Sequence, residues 1–404
     1  MIFDSLTKPI PSVRRDIEVI SFNENGKSII YFHDSLQHIE NGFALDAKVE
    51  PILSLITGRH SINKIVKMLN GAIDAEQLLQ FVQFLDENLI LDSDFSRKEI
   101  EHHEEKFEAS TVRKPALVNQ SYPENKDELS KFLNDYLPTN GSEKNAPKKA
   151  LYAPHIDLRI GKKSYAKAFA SLEDIKPKRV VILATAHYTG YYGNLYSKSP
   201  FIGSTKNYEL PGRIFDTDKN YVESLLQDNA ENGFTVKDRA HRIEHSIETH
   251  LLLASRYWKH DFSIVPILVS GFDELLYTPD GFLGNQLESF SSTLRSLDDE
   301  DTFYLISGDL SHVGKKFGDA LPAEQLRSDV EKSDKTFIKA STENNANQLL
   351  AHMTSDYDSY RVCGFPPMLT FLKAFPEYKG KELSYEWWDE KERESAVSFS
   401  SILY

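Results

Sequence analysis

Short apolar runs alternate with longer amphipathic segments over residues 150–404. Near-continuous apolar runs are typical of strands buried on both faces of a sheet, and four occur here: KALYAP (149–154), RVVILAT (179–185), FSIVPILVS (262–270) and TFYLIS (302–307). Apolar residues recur at helical spacing in four segments between them: SYAKAFASLE (164–173), KNYVESLLQDN (219–229), SIETHLLLASRYW (246–258) and GNQLESFSSTLRSL (284–297). This alternation predicts an α/β layered domain.

The first 98 residues have a different pattern, which predicts a small α+β unit. Two alternating apolar runs, IEVISF (17–22) and SIIYFH (28–33), flank the hairpin signal Asn23-Glu24-Asn25-Gly26. Three helical patterns follow at 44–56, 61–69 and 74–90, and Ser61 and Asp74 are predicted to cap the last two. This layout resembles PqqD-like winged-helix domains, which recognise peptides in some radical-enzyme systems. A structural or dimerising unit explains it equally well.

Charged and polar stretches separate the predicted units. Residues 96–111 (SRKEIEHHEEKFEAST) lack apolar periodicity, which indicates a linker. We therefore predict a domain at 1–98, a charged linker at 99–111 and a second domain at 112–404. The polar stretch PTNGSEKNAPKK (138–149) predicts a loop inside the second domain.

Polar side chains follow three of the predicted strands. Ligands bind at the carboxyl ends of strands in open α/β sheets because loops converge there. The groups at these ends are His155 and Asp157 after KALYAP, His187 after RVVILAT, and Asp309, Ser311 and His312 after TFYLIS. Three histidines and two aspartates at one sheet edge predict a functional site.

Cys363, in the segment Cys363-Gly364-Phe365-Pro366-Pro367, is the single cysteine of the chain. The prolines and the apolar run after them predict a helix start, where the helix dipole favours a thiolate. A thiolate and neutral imidazoles together suit iron, zinc or copper. A small buried apolar side chain is the alternative interpretation of Cys363.

These strand-end motifs resemble the Memo family, which includes the bacterial AmmeMemoRadiSam system protein B. The shared motifs occur in the family's order: Pro154-His155, ATAH (184–187), EHSIETH (244–250), IVPILVSG (264–271), SGDLSH (307–312) and VCG (362–364). The resemblance runs from about Val112 to Tyr404. It implies an α/β/α sandwich around a mixed sheet, similar to class III extradiol dioxygenases.

The resemblance also implies a mononuclear metal site for iron (Fe²⁺), with zinc or copper as alternatives. Its ligands would be His155, His187 and Cys363. His312 matches the acid/base histidine of the dioxygenase relatives, and Asp309 would steady it. We expect five further side chains to line the substrate pocket or to orient the ligands: His245, Glu248, Asp157, Tyr188 and Ser311.

The stretch HRIEHSIETH (241–250) offers a competing metal site, because His241 to His245 fit the inverted zinc-protease pattern H-x-x-E-H. In that hypothesis His241 and His245 bind zinc and Glu244 is the base. It leaves the strand-end groups unexplained, and the pattern arises readily by chance among 13 histidines. His241, His245 and Glu248 would share one helix face, while His241 and His250 alternatively lie on a solvated face.

Composition narrows the function classes. A net charge of −14 argues against nucleic-acid binding, and no apolar run approaches the roughly 20 residues of a membrane span. One cysteine allows no disulfide within the chain, so a cytoplasmic setting is expected. The leading hypothesis is a metal-dependent oxidoreductase acting on a small molecule or peptide. The alternative of another class is a non-catalytic scaffold, with residues 1–98 holding a peptide or radical SAM partner.

Overall fold

A computed structural model describes residues 1–24, 26–137 and 148–404, which form two compact units, Met1–Ala109 and Ser110–Tyr404. The predicted loop at 138–149 lies outside the described residues as far as residue 147. In the described ranges, no helix combines the length and apolar character that crossing a membrane requires.

The first unit contains three antiparallel strands and four helices: β1 (Ile17–Glu24), β2 (Lys27–Asp34), β3 (Ala44–Asp46), α1 (Glu50–Leu53), α2 (Ile62–Met68), α3 (Ala75–Glu87) and α4 (Asp94–Glu108). The predicted hairpin is confirmed by pairing from Ile17 with Asp34 to Glu24 with Lys27, although Asn25 lies outside the described residues. Both predicted caps are confirmed, because Ser61 and Asp74 accept backbone N–H groups of the first turns of α2 and α3.

Two secondary-structure predictions in this unit are wrong. The pattern at 44–56 begins as strand β3, which pairs with β2, so helical structure starts only at Ala47. The charged segment predicted as an irregular linker from residue 96 is helical to Glu108. Ser93 and Ser96 form a reciprocal cap at the start of α4, and glutamate, lysine and arginine favour a helix without an apolar stripe.

The second unit is built on a large mixed sheet. Its strands are β4 (Val112–Arg113), β5 (Ala150–Ala153), β6 (Arg179–Thr185), β7 (Phe201–Gly203), β8 (Asn207–Leu210), β9 (Arg213–Phe215), β10 (Phe234–Thr235), β11 (Ser263–Val269), β12 (Thr302–Ser307), β13 (His312–Gly314), β14 (Lys381–Glu390) and β15 (Ser395–Leu403). The main sheet has the order β10-β7-β11-β6-β12-β5-β15-β13, with β14 paired to β15. Strands β4, β8 and β9 form a separate small sheet.

Helices cover both faces of the main sheet: α5 (Lys126–Tyr136), α6 (Leu158–Ala170), α7 (Lys219–Asn229), α8 (His245–Tyr257), α9 (Asp273–Tyr277), α10 (Phe282–Ser296), α11 (Ala323–Thr342), α12 (Ala346–Ser355) and α13 (Phe365–Ala374). Alternate residues of β6 show the two layers. Val181 and Leu183 belong to one core with α7, α10 and α13, whereas Val180 and Ile182 belong to another with α5, α6 and α8. The predicted α/β class and its four buried strands are confirmed.

Candidate metal centre

Three adjacent parallel strands deliver the predicted strand-end residues to one place. Strands β6, β12 and β5 are neighbours, and His187, Asp309 and His155 each follow the end of one of them. Cys363 comes from the loop before α13. One ligand atom from each of His155, His187 and Cys363 lies within 4.8 Å of the others, and the Cys363 sulfur is 3.6 Å from Nε2 of His155.

A pair of glycines brings the cysteine loop against the end of β12. A Cβ atom at Gly308 would overlap the backbone of Gly364, and one at Gly364 would overlap the hydroxyl of Tyr152. The Gly364 N–H donates to the carbonyl of Asp309 at 2.8 Å. The cysteine therefore reaches the strand ends because both contact positions lack side chains.

Hydrogen bonds fix the orientation of the His155 ring. The Ser307 hydroxyl donates to the carbonyl of Ser246 at 2.8 Å, so its oxygen accepts from Nδ1 of His155 at 3.1 Å. This tautomer leaves the lone pair of Nε2 facing Cys363. Burial, followed by the neighbouring His187 and His245, lowers the pKa of His155 well below its usual value, which keeps the ring neutral.

Glu244 fixes the orientation of the His187 ring. Its carboxylate accepts from Nδ1 of His187 at 2.9 Å and from the His187 backbone N–H at 2.8 Å. It also caps α8 by accepting the N–H groups of His245 and Ser246. Burial lowers the pKa of His187, but the charge of Glu244 and hydrogen bonds to Cys363 and Glu244 outweigh it, so the pKa ends well above its usual value.

The thiolate expected at Cys363 stays a prediction for a metal-bound site. Burial raises the pKa of this thiol more than the hydrogen bond from His187 lowers it. Cys363 precedes the first residue of α13 by two positions, and the gain from the helix dipole is smaller than the cost of desolvating a charge.

His312 and Asp309 border the cluster in ways that suit proton transfer. Nδ1 of His312 donates to the carbonyls of Leu310 and Arg361, each at 3.0 Å, and burial lowers its pKa to about 4. Backbone carbonyls therefore hold His312, while a carboxylate oxygen of Asp309 lies within 4.8 Å of a His312 ring nitrogen, so the steadying role of Asp309 stays a prediction. Asp309 also accepts the backbone N–H of His155 at 3.0 Å, and burial raises its pKa to about 6.

Two cavities reach the cluster and share His187 as a lining residue. We name them the histidine-side cavity, of about 380 Å³, and the cysteine-side cavity, of about 450 Å³. The histidine-side cavity is lined by His155, His245, Asp309 and His312, among others. The cysteine-side cavity is lined by Cys363 and by apolar groups, including Phe272 and Phe365.

Three of the expected pocket residues lie beside the cluster. Asp157 lines the histidine-side cavity and caps α6. His245 lines the same cavity, and its ring stacks on that of His187 with 4.7 Å between centroids. The ring of Tyr188 lies 6.2 Å from that of His187, outside the residues that line the two cavities.

Ser311 and Glu248 lie elsewhere. Ser311 is fully buried and donates to the carboxylate of Asp334 at 2.7 Å, so the expectation that it lines the pocket is wrong. Glu248 is fully buried in an ion pair with Arg113. It also accepts the N–H groups of Ala116 and Leu117 at 2.7 and 2.9 Å and the hydroxyl of Tyr122. Glu248 therefore anchors the segment 116–122, part of which lines the histidine-side cavity.

The structure contradicts a zinc site built on H-x-x-E-H. His241 lies in a short 3-10 helix before α8 and is fully buried. Its Nε2 donates to the carbonyl of Ile202 at 2.9 Å, and its Nδ1 accepts from Tyr208 at 2.6 Å, so both nitrogens are occupied. The expected shared face with His245 and Glu248 is wrong, because the helix begins only at His245. His250 is also buried, so neither it nor His241 lies on a solvated face.

The buried ring of His241 makes the free energy of unfolding depend on pH. Burial lowers its pKa from 6.5 to about 4, so the unfolded chain binds more protons than the folded chain between these values. The free energy of unfolding therefore falls as the pH drops from 6.5 to 4, by up to about 3 kcal/mol from this residue. We expect His241→Gln to reduce the dependence of the free energy of unfolding on pH by this contribution in urea unfolding, with the rest due to other buried histidines such as His250 and His312. His352→Gln should retain the wild-type dependence. Equal slopes in wild type and His241→Gln would contradict the assignment.

Two residues that orient the histidines of the cluster, Ser307 and Glu244, are not among the predicted site residues. Ser307 was assigned only to a strand, and Glu244 was considered only as a protease base. A polar residue ending an otherwise apolar strand was the available signal for Ser307, and the N-cap position before an amphipathic helix was the signal for Glu244.

Comparisons with known proteins identify the family of this chain. Residues 113–403 match the family model described as "Memo-like protein". A "MEMO1 family protein" of Aquifex aeolicus is 25% identical over 87% of this chain and 90% of the relative, and a second from the same organism is 28% identical over 65% and 86%. "Protein MEMO1" of Xenopus laevis is 23% identical over 69% of this chain and 90% of the relative. The chain belongs to the Memo-like protein family.

Proposed function

We propose that the unit Ser110–Tyr404 binds one transition-metal ion through His155, His187 and Cys363 and acts as an oxidoreductase on a small molecule. The observation that carries this proposal is the convergence of two oriented imidazoles on one sulfur. Ser307 and Glu244 accept the Nδ1 protons, so Nε2 of each ring is directed at the sulfur. The lone pair of His155 is free, whereas His187, whose pKa is raised, would release its Nε2 proton when a metal binds.

The donor set fits a metal ion in spacing and in type. Metal–sulfur and metal–nitrogen bonds of about 2.3 and 2.0–2.1 Å at a tetrahedral angle separate the two donor atoms by about 3.6 Å. Cys363 Sγ and His155 Nε2 are 3.6 Å apart. One sulfur and two imidazoles suit iron, zinc or copper. The similarity to extradiol dioxygenases that the Memo resemblance implies would favour Fe²⁺, which when bound supplies one-electron and oxygen chemistry.

The residues around the cluster support proton transfer. His312 is neutral at pH 7, and its Nδ1 hydrogen bonds leave Nε2 to accept a proton from a molecule in the histidine-side cavity. Asp309, whose pKa is raised to about 6, is the second proton carrier in the same cavity. Asp157 and His245 would contact the polar part of the substrate.

Metal analysis of anaerobically purified full-length protein tests the proposal. We expect about one metal ion per chain, with anomalous scattering at the iron edge placed among His155, His187 and Cys363. Failure of Fe²⁺, Zn²⁺ and Cu⁺ to bind, or a metal bound at other residues, would contradict it.

Glu244 both orients His187 and caps α8. Two variants, Glu244→Gln and Glu244→Ser, distinguish these roles. Both remove the carboxylate that orients His187, so we expect metal affinity to fall about 10- to 100-fold in chelator competition. Serine is a good N-cap, so Glu244→Ser should retain the helical circular dichroism signal of the metal-free protein. Affinity retained in Glu244→Ser would show that the contact with His187 is unimportant. Glu209→Gln, at an exposed ion pair, is the control.

For the first unit we propose a PqqD-like, winged-helix role in binding a peptide or a radical SAM partner, in the manner of AmmeMemoRadiSam systems. A hairpin followed by helices supports this proposal, as does strand β1, which pairs on one side only with β2 among the described residues. The single cysteine supports a cytoplasmic setting for the chain. We expect a partner to copurify with the full chain. The partner should no longer copurify when residues 1–98 are removed.

A further inference from the structure

A third cavity, of about 390 Å³, is lined by four basic side chains and a single acidic one. Arg256 and Lys259 come from the C-terminal end of α8 and the residues after it, Lys126 from α5, and Arg213 from the hairpin of β8 and β9. The acidic residue is Asp261. This balance is unusual in a chain with 61 acidic and 47 basic residues. We name this site the basic cavity.

The basic cavity is separate from the metal cluster. Helix α8 places His245 at its N-terminus and Arg256 in its last turn. At 1.5 Å per residue these positions are about 16 Å apart along the helix. None of the residues lining the basic cavity lines either cavity at the cluster.

The four cations have no anionic partner within hydrogen-bonding reach among the residues that the structure describes. Two nitrogens of Arg213 donate to the carbonyls of Trp258 and His260, and Lys259 donates to that of Ser255. Nε of Arg256 is buried without a hydrogen-bond acceptor in the described parts of the chain. A buried N–H of a charged group is costly when unpaired, so an acceptor supplied by a ligand would stabilise it.

The cations also repel one another. Burial lowers the pKa of Lys259, and the charges of Arg256 and Arg213 lower it further. The stem of Lys126 packs on Gly212, whose φ of +78° and lack of Cβ make room for it. The basic groups are thus held together by packing, and among the described residues that line the cavity only Asp261 offers them a carboxylate.

We propose that the basic cavity binds a small organic phosphate. A phosphate monoester carries about −1.5 to −2 charges at pH 7 and three acceptor oxygens. It therefore complements a cavity with four cations and the carboxylate of Asp261 better than a ligand with a single carboxylate group would. Leu129, Leu133, Leu210 and Pro211 give the cavity apolar walls for the organic part. The volume lies within the range of small-molecule sites.

Calorimetric titration of the full-length protein tests this proposal, with phenyl phosphate, phenol and inorganic phosphate as the probes. We expect saturable binding of phenyl phosphate, weaker binding of inorganic phosphate and none of phenol. Lys126→Gln and Arg256→Gln should each weaken phenyl phosphate binding about tenfold, because each removes a charged hydrogen-bond donor. Lys332→Gln, on the exposed face of α11, should leave it unchanged.

Other outcomes would overturn the proposal. Absence of saturable binding, or equal loss in Lys332→Gln, would contradict a built site. Equal affinities for inorganic and phenyl phosphate would contradict the organic part of the ligand. Binding to vesicles of phosphatidylcholine and phosphatidylserine without binding of phenyl phosphate would indicate a membrane headgroup. Loss of binding in Cys363→Ser would place the anion at the metal cluster, whereas retention there keeps this site independent of the proposed oxidoreductase function.

Discussion

His155→Ala is expected to leave the protein with less than a tenth of the wild-type metal content, and Cys363→Ser with a similarly low content. Removing one of three protein ligands should cost at least the 100-fold loss in affinity seen at the upper end for outer-shell changes. The measurement is metal content by mass spectrometry after dialysis against a weak chelator.

Two controls make this result specific. His352→Ala removes a histidine of α12 outside the cluster and should keep the full metal content. Far-ultraviolet circular dichroism of the variants should match wild type, which separates ligand loss from misfolding. Stoichiometric metal in both His155→Ala and Cys363→Ser would end the assignment of these ligands.

The second large effect is expected at Glu248→Gln, which should destabilise the unit Ser110–Tyr404 by about 3–5 kcal/mol. Arg113 and Glu248 are both fully buried, so neutralising one leaves the other charge uncompensated. The carboxylate also holds Ala116, Leu117 and Tyr122. Urea unfolding monitored by tryptophan fluorescence gives the change, since all three tryptophans lie in this unit.

Matched variants identify the cause of that loss. Glu331→Gln, in an exposed pair with Arg327 one turn away on α11, should cost no more than about 0.5 kcal/mol. The double variant Arg113→Met/Glu248→Leu removes both charges and should recover part of the stability. A loss below 1 kcal/mol in Glu248→Gln would show that water reaches the pair.

Local pattern was sufficient to predict four buried strands of the main sheet, β5, β6, β11 and β12, and the residues that follow three of them. Runs such as 179–185 are apolar enough to specify a buried strand without tertiary information, and parallel neighbours bring their ends to one edge. His155, His187 and Asp309 followed from that rule. The helical segment 94–108 did not, since its stability depends on capping and charged helix formers more than on an apolar stripe.

Contacts between distant residues account for the remaining errors. The partner of Glu248 is 135 positions away, and those of His241 are Ile202 and Tyr208 on other strands. Adjacent histidines and glutamates in one stretch look like one site, but each side chain points to a different neighbour. Only the packed structure assigns Glu244 to His187 and Glu248 to Arg113.

The histidine-side and cysteine-side cavities have His187 as their one shared lining residue. One molecule in each cavity could therefore reach the cluster at the same time, with contact between the two molecules only near His187. In the oxidoreductase function proposed above, such a centre would favour a ternary complex and random order of addition over a substituted-enzyme cycle. Inhibitors built for one cavity should accordingly be noncompetitive with a substrate that occupies the other.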